Sequence, residues 1–124
     1  MKKIGIKRPI PPEVLKVARS VRKWVLRVNG GPEDMCYDAS CAIQRRLAKR
    51  GIKCKVVGDE FIVNPDSKYP EGHYWVAIGR KFLDVTGDQF NYLLEEEEKT
   101  TLKPIVFGTP KDLNGYYNYT IVEH

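Results

Sequence analysis

The segment HYWVAIGRKFLDV, residues 73–85, decides how the rest of the chain is read. Two apolar runs, HYWVAIG (73–79) and KFLDV (81–85), meet at Gly79-Arg80, which predicts a β-hairpin. Side chains alternate faces along a strand, and residues directly opposed across an antiparallel pair share a face. With Gly79-Arg80 as the loop, Ile78 opposes Lys81, Trp75 opposes Asp84, and His73 lies diagonal to Asp84 on the same face. A longer loop over residues 77–80 would instead set His73 directly opposite Asp84. Any even loop keeps the two together. An odd loop without a bulge would part them and remove Asp84 from a shared site.

Upstream of the hairpin the hydrophobic period changes from two to three and four. Val14, Val17, Ala18, Val21, Trp24, Val25 and Val28 mark an amphipathic helix over about residues 12–28, opened by Pro11-Pro12 and ended by Asn29-Gly30-Gly31-Pro32. A second helix is expected over about residues 35–50, with Ala39, Ala42, Ile43 and Leu47 as its apolar stripe and Gly51 just beyond its end. Ile52, Cys54 and Val56 alternate with Lys53 and Lys55 as a half-buried strand, continued by residues 61–63 past a bend or bulge at Gly58. A loop follows over about residues 64–72. Residues 102–107 and 116–122 are further strand candidates, and residues 89–98 a short helix or exposed loop. Helices first and strands afterwards imply a single α+β domain over residues 1–124, with N-terminal helices packed on an antiparallel sheet.

A chain of 124 residues can bury a core without disulfides or a metal. No apolar run approaches the roughly 20 residues of a membrane span, and MKKIGIKRPIPPE lacks the apolar stretch of a secretory signal, so a cytoplasmic protein without a membrane partner is expected. The net charge of +5 is unevenly divided. Residues 1–55 carry fifteen Lys or Arg against four Asp or Glu, and residues 56–124 carry six against twelve. The basic half is either the solvated face of two helices or a dock for an acidic partner. Nucleic acid is not the expected partner, because aromatics are not interleaved with these cations.

Cys36, Cys41 and Cys54 form no disulfide framework and no zinc-type pair, so neither metal nor cofactor is expected, and a free nucleophile is. Cys36 stands at the start of the second helix, where the dipole and free N–H groups favour an anion. Cys41, five residues on, fits the core side of the same helix. His73 is the one histidine apart from the last residue, His124, and so is the candidate base. Asp84 is the candidate group to orient it.

CYDAS (36–40), LAKRGIKCKVVGDEF (47–61) and GHYWVAIGRKFLDVTGDQF (72–90) together resemble the transglutaminase-like branch of the papain-like cysteine protease superfamily, in particular small bacterial and phage proteins of that type. The likeness spans about residues 34–90. It implies Cys36 as nucleophile, His73 as general base and acid, and Asp84 as orienter, with Cys41 as the rival nucleophile. The expected activity is acyl transfer from an amide of a peptide or protein substrate, as a protease, amidase, deamidase or transglutaminase. The chain departs from the pattern in one respect: papain-like enzymes place an oxyanion-binding Gln before the nucleophile, and residues 1–35 contain none. Asn29 is the nearest amide side chain there. Trp75, expected on the His73 face, either walls the substrate groove or packs the core. Gln89 and Phe90 are read as tying the segment after Asp84 to the sheet, without a catalytic part. The alternative is a non-catalytic binding module of the same fold that uses its basic half to dock an acidic protein or nucleic acid.

Overall fold

The computed structural model describes residues 2–61 and 71–118. These form an α+β domain around a mixed sheet of six strands in the order β1-β5-β4-β3-β2-β6. The strands are β1 (Lys2–Ile6), β2 (Lys55–Phe61), β3 (Glu71–Ile78), β4 (Lys81–Asp84), β5 (Thr100–Gly108) and the two-residue β6 (Tyr117–Asn118). The helices are α1 (Pro12–Asn29), α2 (Cys36–Ala48) and α3 (Asn91–Glu98), the last preceded by a 3-10 turn, Gly87–Phe90. No described helix is long and apolar enough to cross a membrane.

Two features correct the expected architecture. The sheet is not wholly antiparallel, because β1 pairs in parallel with β5, Lys2 opposite Thr100. Its residues KKIGI bury only Ile4 and Gly5 and end in exposed Ile6, so this short edge strand carries almost no alternating signal. The sheet is also covered on both faces. Val14, Val17, Val21 and Val25 of α1 and Ala39, Ile43 and Leu47 of α2 pack on Val76, Leu83, Val85 and Phe107. Trp75, Phe82, Val57, Phe61 and Val106 face the other way, onto Phe90, Leu94, Leu113 and Tyr117. Each such fully buried aliphatic or aromatic side chain contributes about 1.5–3 kcal/mol relative to exposure.

The boundaries follow local chemistry. Pro12 fills the first position of α1, and Gly30, at φ +78°, ends it by donating its N–H to Leu26 O. Ala39, Ser40 and Ala42 let α2 lie close to the sheet. Residues 62–63, 64–70 and 119–122, expected as strand, loop and strand, lie outside the described residues, as does His124. β2 begins at Lys55 and not at Ile52: the Ile52 N–H is taken by Leu47 O, which closes the end of α2.

The hairpin has the even, two-residue loop. Ile78 opposes Lys81, Ala77 opposes Phe82 and Val76 opposes Leu83. Gly79 turns the chain at φ +61°, a left-handed conformation that glycine adopts without a Cβ penalty. Extended by one pair, this register sets Trp75 against Asp84.

Candidate functional site

His73 and Asp84 meet on the face of the sheet turned away from α1. Their contact, His73 Nε2 to Asp84 Oδ2, is 2.6 Å, and both side chains are almost wholly buried. The imidazole lies within aromatic rings: Trp75 stacks at 5.9 Å between centroids, and Phe90 and Phe61 meet it edge-on at 5.0 and 6.0 Å. Such a lining excludes water, which strengthens the charge-assisted bond within it.

Asp84 is held by more than the imidazole. Its Oδ1 accepts the Thr86 N–H at 2.9 Å and the Thr86 hydroxyl at 3.3 Å, and its Oδ2 also accepts the Tyr117 hydroxyl at 2.8 Å. Burial pushes the Asp84 carboxyl up, but the charge and hydrogen bond of His73, with the Thr86 and Tyr117 donors, outweigh it and hold the group below its ordinary range. Burial is likewise the largest single influence on His73 and pulls it down. The charge and hydrogen bond of Asp84, then the interaction with Cys36, overcome it and raise the imidazole to about 9. The pair is therefore an imidazolium and a carboxylate at neutral pH. Burial, followed by the Asp84 charge, drives the Tyr117 hydroxyl well above its ordinary value, so it stays a donor.

The thiol approaches from the other layer. Cys36 is the first residue of α2, and Met35 before it supplies no side-chain cap, so the N–H groups of the first turn receive no side-chain acceptor from it. Asp34, at φ +60°, turns the chain into the helix. On the next residue, Tyr37 packs edge-on against Tyr74 at 5.0 Å, fixing this end of α2 beside the start of β3. Cys36 stands near enough to His73 to be among the groups that raise its imidazole. Nε2 is committed to Asp84, and the other ring nitrogen, Nδ1, lies 3.4 Å from the Gln89 carboxamide nitrogen. The structure thus joins His73 and Asp84 directly and sets Cys36, at the start of α2, in their neighbourhood.

Cys41 and Cys54 stand apart from this line. The Cys41 thiol raises the neighbouring Tyr37 hydroxyl, and burial pushes the Cys54 thiol up to about 11. All three cysteines are free. The structure also bears on two weaker expectations. Asn29 is no oxyanion donor, since its Nδ2 donates to Gly31 O at 2.9 Å and to Glu33 O at 2.8 Å, where it staples the α1–α2 link. Trp75 is fully buried and walls no open groove; it packs against His73 and Phe82.

Sequence reasoning assigned no part to Thr86, Gly87 or Tyr117, and gave Gln89 a structural one. Asp-x-Thr is a legible signal, since an Asp side chain commonly accepts the N–H two residues on. Gly87 lets the 3-10 turn lie against the carboxylate: a Cβ there would sit 2.6 Å from Asp84 Oδ2 and 2.7 Å from the Tyr117 hydroxyl. Gln89 places its carboxamide nitrogen 3.4 Å from His73 Nδ1. Tyr117 is 33 residues from Asp84 and has no local signature.

Comparison with protein-family models, with curated proteins and with solved structures found no match.

Proposed function

We propose that the protein is a thiol acyltransferase or hydrolase on a papain-like, transglutaminase-like domain, acting on an amide carbonyl through an acyl-enzyme. The observation that carries this reading is the buried, aromatic-lined His73–Asp84 pair with Cys36 at the start of the neighbouring helix α2. Cys36 attacks the carbonyl carbon while His73 holds the thiol's proton on Nδ1. The S–C bond forms, the carbon–nitrogen bond breaks, and His73 passes the proton to the departing amine. Asp84 keeps the ring oriented and stabilises its charged form until that proton is passed on; the neutral ring then takes the proton of the incoming water or amine. Water or a second amine then resolves the thioester, giving hydrolysis or transamidation. Peptide or protein amides are the substrate class, and three free thiols suit a reducing, cytoplasmic setting.

The test is mass spectrometry of a cell lysate treated with the protein or with Cys36→Ala. Cleaved, deamidated or cross-linked polypeptides that appear only with the unsubstituted protein are the expected result. Identical lysates overturn the reading.

One observation favours a second reading, a module that docks an acidic polypeptide. Lys16, Arg19, Lys23, Arg27 and Arg46 line a groove of about 570 Å³ beside Trp24. None of the five pairs with a carboxylate among the described residues. Retention on an acidic peptide that falls with salt and survives Cys36→Ala would support it.

A further inference from the structure

We propose that Arg22 is a positioning residue for the His73–Asp84 pair, acting on the carboxylate through the peptide unit that joins Val85 to Thr86; its part in the chemistry rests on the thiol-enzyme reading above. Arg22 belongs to α1, between the buried Val21 and Val25. That helix covers the face of the sheet opposite to the one that carries the pair. β4 ends at Asp84, and past this end the guanidinium reaches the turn that follows.

The contacts form one line. Arg22 Nη1 donates to Val85 O at 2.9 Å. The N–H at the other end of that peptide unit is Thr86's, and it donates to Asp84 Oδ1 at 2.9 Å. Asp84 Oδ2 in turn holds His73 Nε2 at 2.6 Å. A peptide unit is planar, so fixing its oxygen fixes the plane in which its N–H lies. A cation at the oxygen also polarises the unit and strengthens the bond at its far end. Among the described residues, Thr86 supplies the one backbone donor to this carboxylate.

The guanidinium is itself held in place. Nη1 and Nη2 grip Asp88 Oδ1 and Oδ2 at 2.6 and 2.7 Å, so a carboxylate of the 3-10 turn sets the plane of the fork. Both side chains are largely buried, so salt screens the pair little. Arg22 Nε is buried without a hydrogen-bond partner, an unfavourable burial that the two Nη groups must offset. Asp88 stands close enough to the Tyr117 hydroxyl for its charge to help raise that group. Paired with Arg22, it adds no uncompensated charge beside the carboxylate that Tyr117 also serves. Without the clamp the Val85–Thr86 unit can rotate, Asp84 loses its aim, and the imidazole loses the fixed partner of its Nε2–H. Arg22 does all this without touching the ring.

The Nε2 proton of His73 reports this alignment directly. In a short bond to a carboxylate it resonates far downfield of the amide protons, and isotope-labelled histidine marks it as a ring N–H in the proton NMR spectrum. Arg22→Met keeps the apolar stem. The folded variant should show that proton shifted upfield and exchanging faster with water. Arg8→Met breaks the exposed pair with Asp112 instead and should leave the proton unmoved. Arg22→Lys keeps a charge without the planar fork and should shift it in the same direction by less. A resonance at the unsubstituted position in folded Arg22→Met would mean that Arg22 only braces α1 against the turn, and overturns the proposal. If that variant does not fold, an unmoved resonance in Arg22→Lys overturns it equally. Failure of the underlying reading looks different: the proton responds to Arg22 as stated, while lysates treated with the protein and with Cys36→Ala stay identical.

Discussion

The Tyr117 hydroxyl donates to Asp84 Oδ2, the same oxygen that receives His73 Nε2, so a residue of the last described strand completes a pair formed within the central hairpin. Removing that donor leaves a buried carboxylate oxygen one bond short. Tyr117→Phe keeps the ring and its packing against Trp75 and should destabilise the fold by about 1–3 kcal/mol. Urea denaturation with an unchanged slope checks this, and a midpoint equal to that of the unsubstituted protein would refute it.

Gly87 predicts a sharper effect. An added methyl at this position would press on the Asp84 carboxylate, the Tyr117 hydroxyl and Leu102, which is 2.9 Å from the methyl position. Gly87→Ala should cost about 3 kcal/mol, through overpacking and displaced buried hydrogen bonds. Gly72→Ala provides the contrast, since a Cβ there meets nothing within 4 Å, and should be close to neutral. Thermal unfolding of the two variants side by side measures the difference.

The ion pair sets a stability window. The folded imidazole titrates near 9 instead of 6.5, so its contribution is complete below about pH 6.5 and is lost as pH rises through 9. The lowered Asp84 carboxyl acts in the opposite direction: its contribution is present above its ordinary 3.8 and is lost as pH falls below it. Stability should therefore decline between pH 7 and 10 by on the order of 2–3 kcal/mol. His73→Phe should flatten that limb. Chemical denaturation at several pH values would reveal it, and parallel curves for both proteins would contradict it.

The cysteines should separate by reactivity. At neutral pH iodoacetamide should modify Cys36 first, Cys41 more slowly and Cys54 last, because burial keeps the Cys54 thiol protonated to about 11. His73→Ala should abolish the lead of Cys36 and leave the other two unchanged. Peptide mapping after timed quenching gives the order.

The hairpin was the most legible part of the chain. Gly79-Arg80 is a strong local turn signal, and an even loop suffices to place His73 and Asp84 on one face. The two long helices were equally open to reading, since Val14 to Val25 and Ala39 to Leu47 repeat at helical spacing. What stayed hidden depends on partners distant in sequence. β1 is held by β5 across almost the whole chain, and its two exposed lysines and single glycine carry no strand pattern of their own. Gln89 was read as tying the segment after Asp84 to the sheet, and only the turn geometry sets its amide nitrogen 3.4 Å from His73 Nδ1. Asn29 looked like the available amide because it lies near Cys36 in sequence, yet the loop it precedes consumes both of its donors.

The strand order also carries a schedule. A ribosome delivers Cys36 and the His73–Asp84 hairpin well before β5, the partner of β1, and Tyr117 later still. Pairings this remote in sequence are slow to close. The nascent chain thus carries its imidazole and carboxylate for some time before the carboxylate gains its last donor. The buried His73–Asp84 pair is therefore the part of the fold whose hydrogen bonding is completed from furthest downstream in the described chain.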